Sequence, residues 1–196
     1  MKHQFGFFLT VMLFFIFLFA SVCDAQQQEL SDGMIRLHVI ANSDSDEDQA
    51  LKLRVRDRVL SYIAPLLSEA EDAQSMQEIL GAHMEEIVQT AQAEVADSGC
   101  TDAVSASLAG EYYPTRDYDT FSLPAGEYTG LRIRIGEAQG HNWWCVVYPS
   151  LCLDPASGSA ELTDDQLALI ERDGTQYIVA FRVTEWVGEL RHALSK

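Results

Sequence analysis

Basic side chains are scarce in this sequence. Its 196 residues hold 13 Lys and Arg against 30 Asp and Glu, a formal charge of −17 with a pI near 4.4. A charge this negative argues against a nucleic-acid backbone or an anionic membrane face as partner. Proline and glycine are few, 5 and 12, while hydrophobic residues make up 47% and aromatics 10%. That excludes a low-complexity or disordered chain and leaves a packed globular one. Catalytic signatures are missing too: there is no Gly-x-Ser-x-Gly, no His-Glu-x-x-His and no phosphate-cradling Gly-x-x-x-x-Gly-Lys. Cysteines number 4, with no Cys-x-x-Cys or nearby His pair to complete a tetrahedral metal set. Internal repeats and domain-scale shifts of composition are absent, so one domain is expected at this length.

What is present begins with a leader. Phe5 to Ala20 is apolar except for Gly6 and Thr10, behind a weakly basic Met1-Lys2-His3-Gln4. Ser21-Val22-Cys23-Asp24-Ala25 then ends in small residues before Gln26-Gln27-Gln28. This is the layout of a secretory signal peptide over residues 1–25, cleaved after Ala25, with a polar linker over 26–33 and the folded domain over 34–196. An uncleaved anchor is the competing reading, since the apolar run is only slightly short of a spanning helix. A third reading, Cys23 as a lipoprotein cysteine, lacks the usual Leu and has a branched Val22 before it. Cleavage leaves Cys100, Cys145 and Cys152 in a compartment where disulfides persist, enough for one bridge and one free thiol. Cys145 and Cys152, with Pro149 between them to turn the chain, are the favoured pair.

Along the remaining chain, Met34 to Ala41 alternates as a strand, with Ile35, Leu37 and Val39 on one side and Arg36, His38 and Ile40 on the other. An acidic turn over 42–48 loads carboxylates onto a helix from about Asp46 to Leu67, started by a capping-box-like Ser45 and Asp48 and ended or bent by Pro65. A second helix from Ala73 to Ala96 has the cleanest period in the chain, through Met76, Leu80, Ile87, Ala91 and Val95, and Gly99 stops it. Val104–Tyr113, Glu127–Ile135, Asn142–Tyr148 and Gln176–Val183 read as strands between Gly- and Pro-rich turns, and Leu162–Arg172 as a short helix. The expected fold is α+β: a single domain with a mainly antiparallel sheet, packed with two long N-terminal helices and one short later helix.

Several local patterns have structural explanations. Asn42-x-Asp44-x-Asp46-x-Asp48 resembles a calcium loop but lacks the Gly and Glu that an EF-hand needs at its sixth and twelfth positions. Carboxylates complementing a helix dipole account for it better. Asp97-Ser98-Gly99 matches an aspartic-protease triplet without a second copy, and follows a helix that needs a stop. His83, on the apolar side of the second helix, reads as a boundary core residue. Lys52, Arg54, Arg56 and Arg58 lie within seven positions. At 100° per residue Lys52 and Arg56 fall on one side and Arg54 and Arg58 nearly opposite, so they flank an apolar stripe as a solvated face, with Asp48 neutralising Lys52 in part. The exception is the run from Gly140 to Cys152. Trp144, Val146, Tyr148 and Asn142 alternate with Trp143, Cys145 and Val147, so both strand faces are apolar. Either this is a central strand covered twice, or one aromatic face is kept for a partner.

These residues carry a family resemblance. Ile35-Arg36-Leu37-His38-Val39-Ile40-Ala41-Asn42-Ser43-Asp44, with Asp48-Gln49 and Lys52-x-x-Val55-Arg56-Asp57, and the later Gly140-His141-Asn142-Trp143-Trp144-Cys145 through Cys152, resemble stage II sporulation protein R. So does the closing Phe181-Arg182-Val183-Thr184-Glu185-Trp186. In that family two prolines commonly follow the aromatic strand, whereas here Ser150 follows Pro149. The chain's only asparagines, Asn42 and Asn142, sit one in each of the first two motifs.

The resemblance implies a non-enzymatic signal of endospore formation, exported from the forespore into the space between the septal membranes. There it would activate a membrane-embedded aspartic protease through that protease's extracytoplasmic part, and the protease would process the mother-cell sigma factor precursor. No cofactor, no metal and no nucleic acid is implied, and the membrane is met only through the leader. Expected partner-binding residues are Asn42, Asp44, His141, Asn142, Trp143 and Trp144. The alternative is an exported hydrolase or metal-dependent enzyme using His141 with Asp44 and Asp46.

Overall fold

The computed structural model describes residues 27–118 and 122–149, together with 6, 7, 10–12, 14, 15 and 18 near the start of the chain. The predicted helix over 162–172, the predicted strand over 176–183, the leader's cleavage site and Cys152 lie outside the described residues. Among those described, no helix is long and apolar enough to cross a membrane. By its internal contacts the chain falls into two compact units. Among the described residues, the smaller takes in those up to Ser31 and those within 112–126, and the larger those within 32–111 and from Glu127 on.

In the larger unit, Ile35–Ile40 forms β1, and Ser45 caps the helix α1 (Asp46–Ile63) by accepting the Asp48 N–H at 3.2 Å. Pro65 then sits in a 3-10 turn over Ala64–Glu69, which ends the α-helical geometry as proline should. The long second helix is corrected to two, α2 (Ala73–Ala82) and α3 (Met84–Asp97). His83 breaks it at φ −96° and ψ 14°, with the Tyr62 hydroxyl 2.8 Å from its Nδ1. The apolar period runs through the break undisturbed, since Met76, Leu80, Ile87, Ala91 and Val95 are all buried in one core. Gly99, at φ 75°, stops α3, and its N–H and that of Cys100 close back on Ala96 and Val95. The Asp-Ser-Gly triplet is therefore a helix terminus. Cys100 is a free, half-buried thiol.

The strands β2 (Val104–Tyr113), β5 (Gly126–Ile135) and β6 (Asn142–Tyr148) join β1 in a four-stranded sheet ordered β2-β5-β1-β6. This sheet is mixed, which corrects the mainly antiparallel expectation: β1 runs parallel to β5 and antiparallel to β6. The reason is geometric. β5 and β6 run in opposite directions, and β1 lies between them, so it must be parallel to one and antiparallel to the other. Ile35, Leu37 and Val39 bury against the helices together with Leu131, Ile133, Ile135, Cys145 and Val147. On the reverse face Arg36 is fully buried, its guanidinium 5.0 Å from the Tyr128 ring.

The smaller unit contains the two-stranded antiparallel pairing of β3 (Arg116–Asp117) with β4 (Ser122–Leu123). Thr115 Oγ1 accepts the Ala125 N–H at 3.0 Å, and Tyr113, Leu123 and Ala125 are buried there.

Candidate functional site

The turn after β1 and the loop before β6 are locked together. Asn42 holds both sides with one side chain: its amide donates to Asp48 Oδ2 at 3.0 Å, and its Oδ1 accepts the Glu137 N–H at 3.0 Å. Its carbonyl accepts the Gln139 N–H at 3.1 Å, and the Ala41 carbonyl accepts that of Gly140 at 3.0 Å. Asp44 continues the seam. Its Oδ1 accepts the His141 backbone N–H at 2.6 Å and also meets the His141 ring at Nδ1. Two glycines permit this approach. A Cβ at Gly136, where φ is +56°, would stand 2.8 Å from Asn42 Cγ, and one at Gly140 would stand 2.6 Å from the Ser43 carbonyl carbon.

Behind the seam lies Lys52, only 5% exposed. Its ammonium donates to the His141 carbonyl at 2.9 Å and to Gln49 Oε1 at 2.6 Å, while Gln49 donates to the Ser43 carbonyl at 2.9 Å. Burial lowers the Lys52 pKa, and the Asp44 charge works against that shift. Reading Lys52 as a solvated residue neutralised by Asp48 is thus corrected, because it fastens α1 to the His141 loop. The Asp48 carboxylate instead takes the Ser43 hydroxyl and the Asn42 amide, and the Ser43 bond is the largest influence holding its pKa down. Arg54 and Arg58, on the opposite side of α1, pair with Glu94 and Asp97 on α3. Such exposed pairs contribute little stability.

The surface over this lock is exposed. The His141 side chain is 78% accessible and that of Asp44 54%. The two tryptophans part company as strand alternation requires. Trp143 faces the helix side, half-buried, with the Arg56 guanidinium 4.5 Å from its ring. Trp144 faces the reverse side, also half-buried, stacked on the His38 ring at 3.8 Å with 18° between planes. Among the described residues β6 is an edge strand of the four-stranded order, with both of its aromatic faces partly covered. Asn142 opens the strand, exposed at its start. Asp46, the third residue of the metal-enzyme alternative, heads the first turn of α1. Among the described residues no group of three His, Cys, Asp or Glu is placed to hold a metal ion.

Sequence reasoning missed a polar cluster on the reverse sheet face. His38 is 4% exposed, and its Nδ1 lies 3.3 Å from a Glu111 oxygen. Arg132 grips the same carboxylate, with Nε at 3.1 Å. The alternation of Arg36, His38 and Ile40 opposite the apolar face was the available signal, but nothing local in the sequence names Glu111 as partner. Burial is the largest influence on His38 and lowers its pKa, with Asn142 and Glu111 pulling upward and Arg132 downward. The sign follows: as pH drops below 6.5, the ordinary value, the unfolded chain takes up a proton that the folded chain resists. Stability falls over that window and levels out below the folded pKa. His38→Gln is expected to flatten this part of the curve in a pH series of thermal midpoints. Equal slopes in both proteins would assign the effect to other groups.

Comparisons with known proteins fall on these same elements. The family model described as Stage II sporulation protein R (spore_II_R) matches residues 31–157. Over 197 aligned residues the chain is 30% identical to the curated "Stage II sporulation protein R" of Bacillus subtilis (strain 168), with 87% of each covered. No solved structure matches it significantly.

Proposed function

The chain belongs to the stage II sporulation protein R family, and from that premise we propose that it is an exported, non-enzymatic signal of endospore formation. It acts in the space between the forespore and mother-cell septal membranes. There it engages the extracytoplasmic part of a membrane-embedded aspartic protease, which then processes the mother-cell sigma factor precursor. Its recognition surface is the Asn42 turn and the start of β6: Asn42, Asp44, His141, Asn142, Trp143 and Trp144. The observation that carries this assignment is the convergence of two distant motifs on one rigid, exposed seam, where His141 N–H meets Asp44 Oδ1 at 2.6 Å. A ligand-like protein needs such a preorganised surface more than it needs a nucleophile. A bridge between Cys145 and Cys152 belongs to the same proposal, as it would tie the end of β6 in an oxidising compartment.

Co-expression with the protease and the sigma precursor tests the reading. Precursor cleavage should depend on this chain being exported, and should vanish when the leader is deleted. Cleavage that proceeds equally without the chain would refute it.

A further inference from the structure

The larger unit carries an open groove of 880 Å³ between α2 and residues of β1, β2 and β5. Its volume lies within the range of ligand sites, roughly 300–1,000 Å³. One wall is a single face of α2, because Gln74, Gln77, Glu78 and Gly81 recur at helical spacing. Glu78 and Asp32 bring two carboxylates, and no basic side chain lines the groove among the described residues. Leu108 and Met84 contribute apolar surface beside them. At Gly81 an added Cβ would meet nothing within 4 Å, so that position opens directly into space.

We propose that this groove docks an extended peptide segment bearing lysine or arginine side chains, contributed by another protein. Charge complementarity selects the cation: the Glu78 carboxylate takes its head, the Asp32 charge adds to the negative potential, and the apolar lining takes its methylene stem. The two glutamine amides, each both donor and acceptor, match the alternating N–H and C=O of an extended backbone. A phosphate or carboxylate ligand would meet like charge here and is excluded on the same ground. The groove shares no residue with the Asn42–His141 seam, and the proposal stands apart from the signalling assignment.

The test is a direct titration of the purified mature protein, followed by backbone amide NMR. The probes are an octapeptide of alternating lysine and valine, its glutamate–valine counterpart, and spermidine. The lysine peptide should shift groove residues of α2 and β2, while the glutamate peptide should not bind. Gly81→Phe fills the open position from a solvent-facing site and should weaken binding about tenfold, as should Glu78→Gln, each with unchanged thermal midpoint. Gly81→Ala, a better helix former with little added bulk, should fold at least as well and still bind. Glu85→Gln, the same charge change outside the groove, should leave affinity within about twofold. The proposal is overturned if Gly81→Phe binds normally, if Glu85→Gln weakens binding as much as Glu78→Gln, or if spermidine shifts the groove residues as strongly as the peptide. None of these readings involves precursor processing, so failure here leaves the signalling assignment intact.

Discussion

Gly140→Ala is expected to lower the thermal midpoint by about 6–12 °C and to abolish signalling with it. The new methyl would be driven into backbone, at 2.6 Å from the Ser43 carbonyl carbon and 3.0 Å from Ala41 Cβ. Neither neighbour can yield. The Ser43 carbonyl is pinned by Gln49 Nε2 at 2.9 Å, and Gly140 itself is tied to the Ala41 carbonyl at 3.0 Å. Forced overpacking of this kind costs about 1–3 kcal/mol, and the upper end applies where both sides are backbone. In a domain of this size each kcal/mol moves the midpoint by roughly 2–4 °C. Differential scanning calorimetry on the single variant is sufficient. A midpoint within about 2 °C of the parent would mean that the seam is pliable, and its role as a preformed surface would fail with it.

His141→Ala should give the opposite pattern: nearly unchanged stability and signalling reduced about tenfold or more. Its side chain is 78% accessible, and substitutions at such positions usually fall within about 0.5 kcal/mol. The lock also survives the change, because Asp44 accepts the backbone N–H of residue 141 and Lys52 donates to its carbonyl, both of which alanine supplies equally. What disappears is the exposed imidazole. Asp44→Ala is the companion variant, expected to lose signalling with a small loss of stability as well, since its carboxylate accepts that N–H. Precursor cleavage and thermal midpoint should be read on the same preparations. If cleavage tracks the midpoint across both variants, or remains at the parent level in His141→Ala, the recognition surface lies elsewhere.

Much of this architecture is legible in the chain because it rests on local periodicity. Val104–Tyr113 and Asn142–Tyr148 match the observed strands end for end, and the Ser45 cap and the Gly99 stop fall where short-range chemistry puts them. What escaped depends on partners remote in sequence. The break at His83 is invisible to a hydrophobic period that continues through it, because the stripe from Met76 to Val95 faces one core on either side of the kink. The parallel pairing of β1 with β5 is set by β1 slotting between two later strands, which short loops alone do not announce. At the site, Asn42 and His141 were legible as members of motifs, but Lys52 was not. A lysine four residues after Asp48 reads as an ordinary helical ion pair, and only the His141 carbonyl at 2.9 Å shows why it is buried. Gly136 and Gly140 read simply as turn residues until the Asn42 and Ser43 groups opposite them are placed.

The position of β1 also dictates an order of events. It is the first strand of the larger unit, yet Ile35 waits for Thr129 on one side and Tyr148 on the other before its ladder is complete. Contacts this far apart in sequence make for slow, late nucleation, because the loop-closure entropy must be overcome before any pairing rewards it. A chain threaded N-terminus first through an export channel therefore cannot assemble its sheet behind the channel until Tyr148 is through. The helices from Asp46 to Asp97 emerge earlier, but their apolar stripes find no sheet to cover them. If the chain is exported as proposed, the same topology that seats the Asn42 turn against the His141 loop would keep the polypeptide unfolded during passage, and would tie the appearance of that seam to its completion.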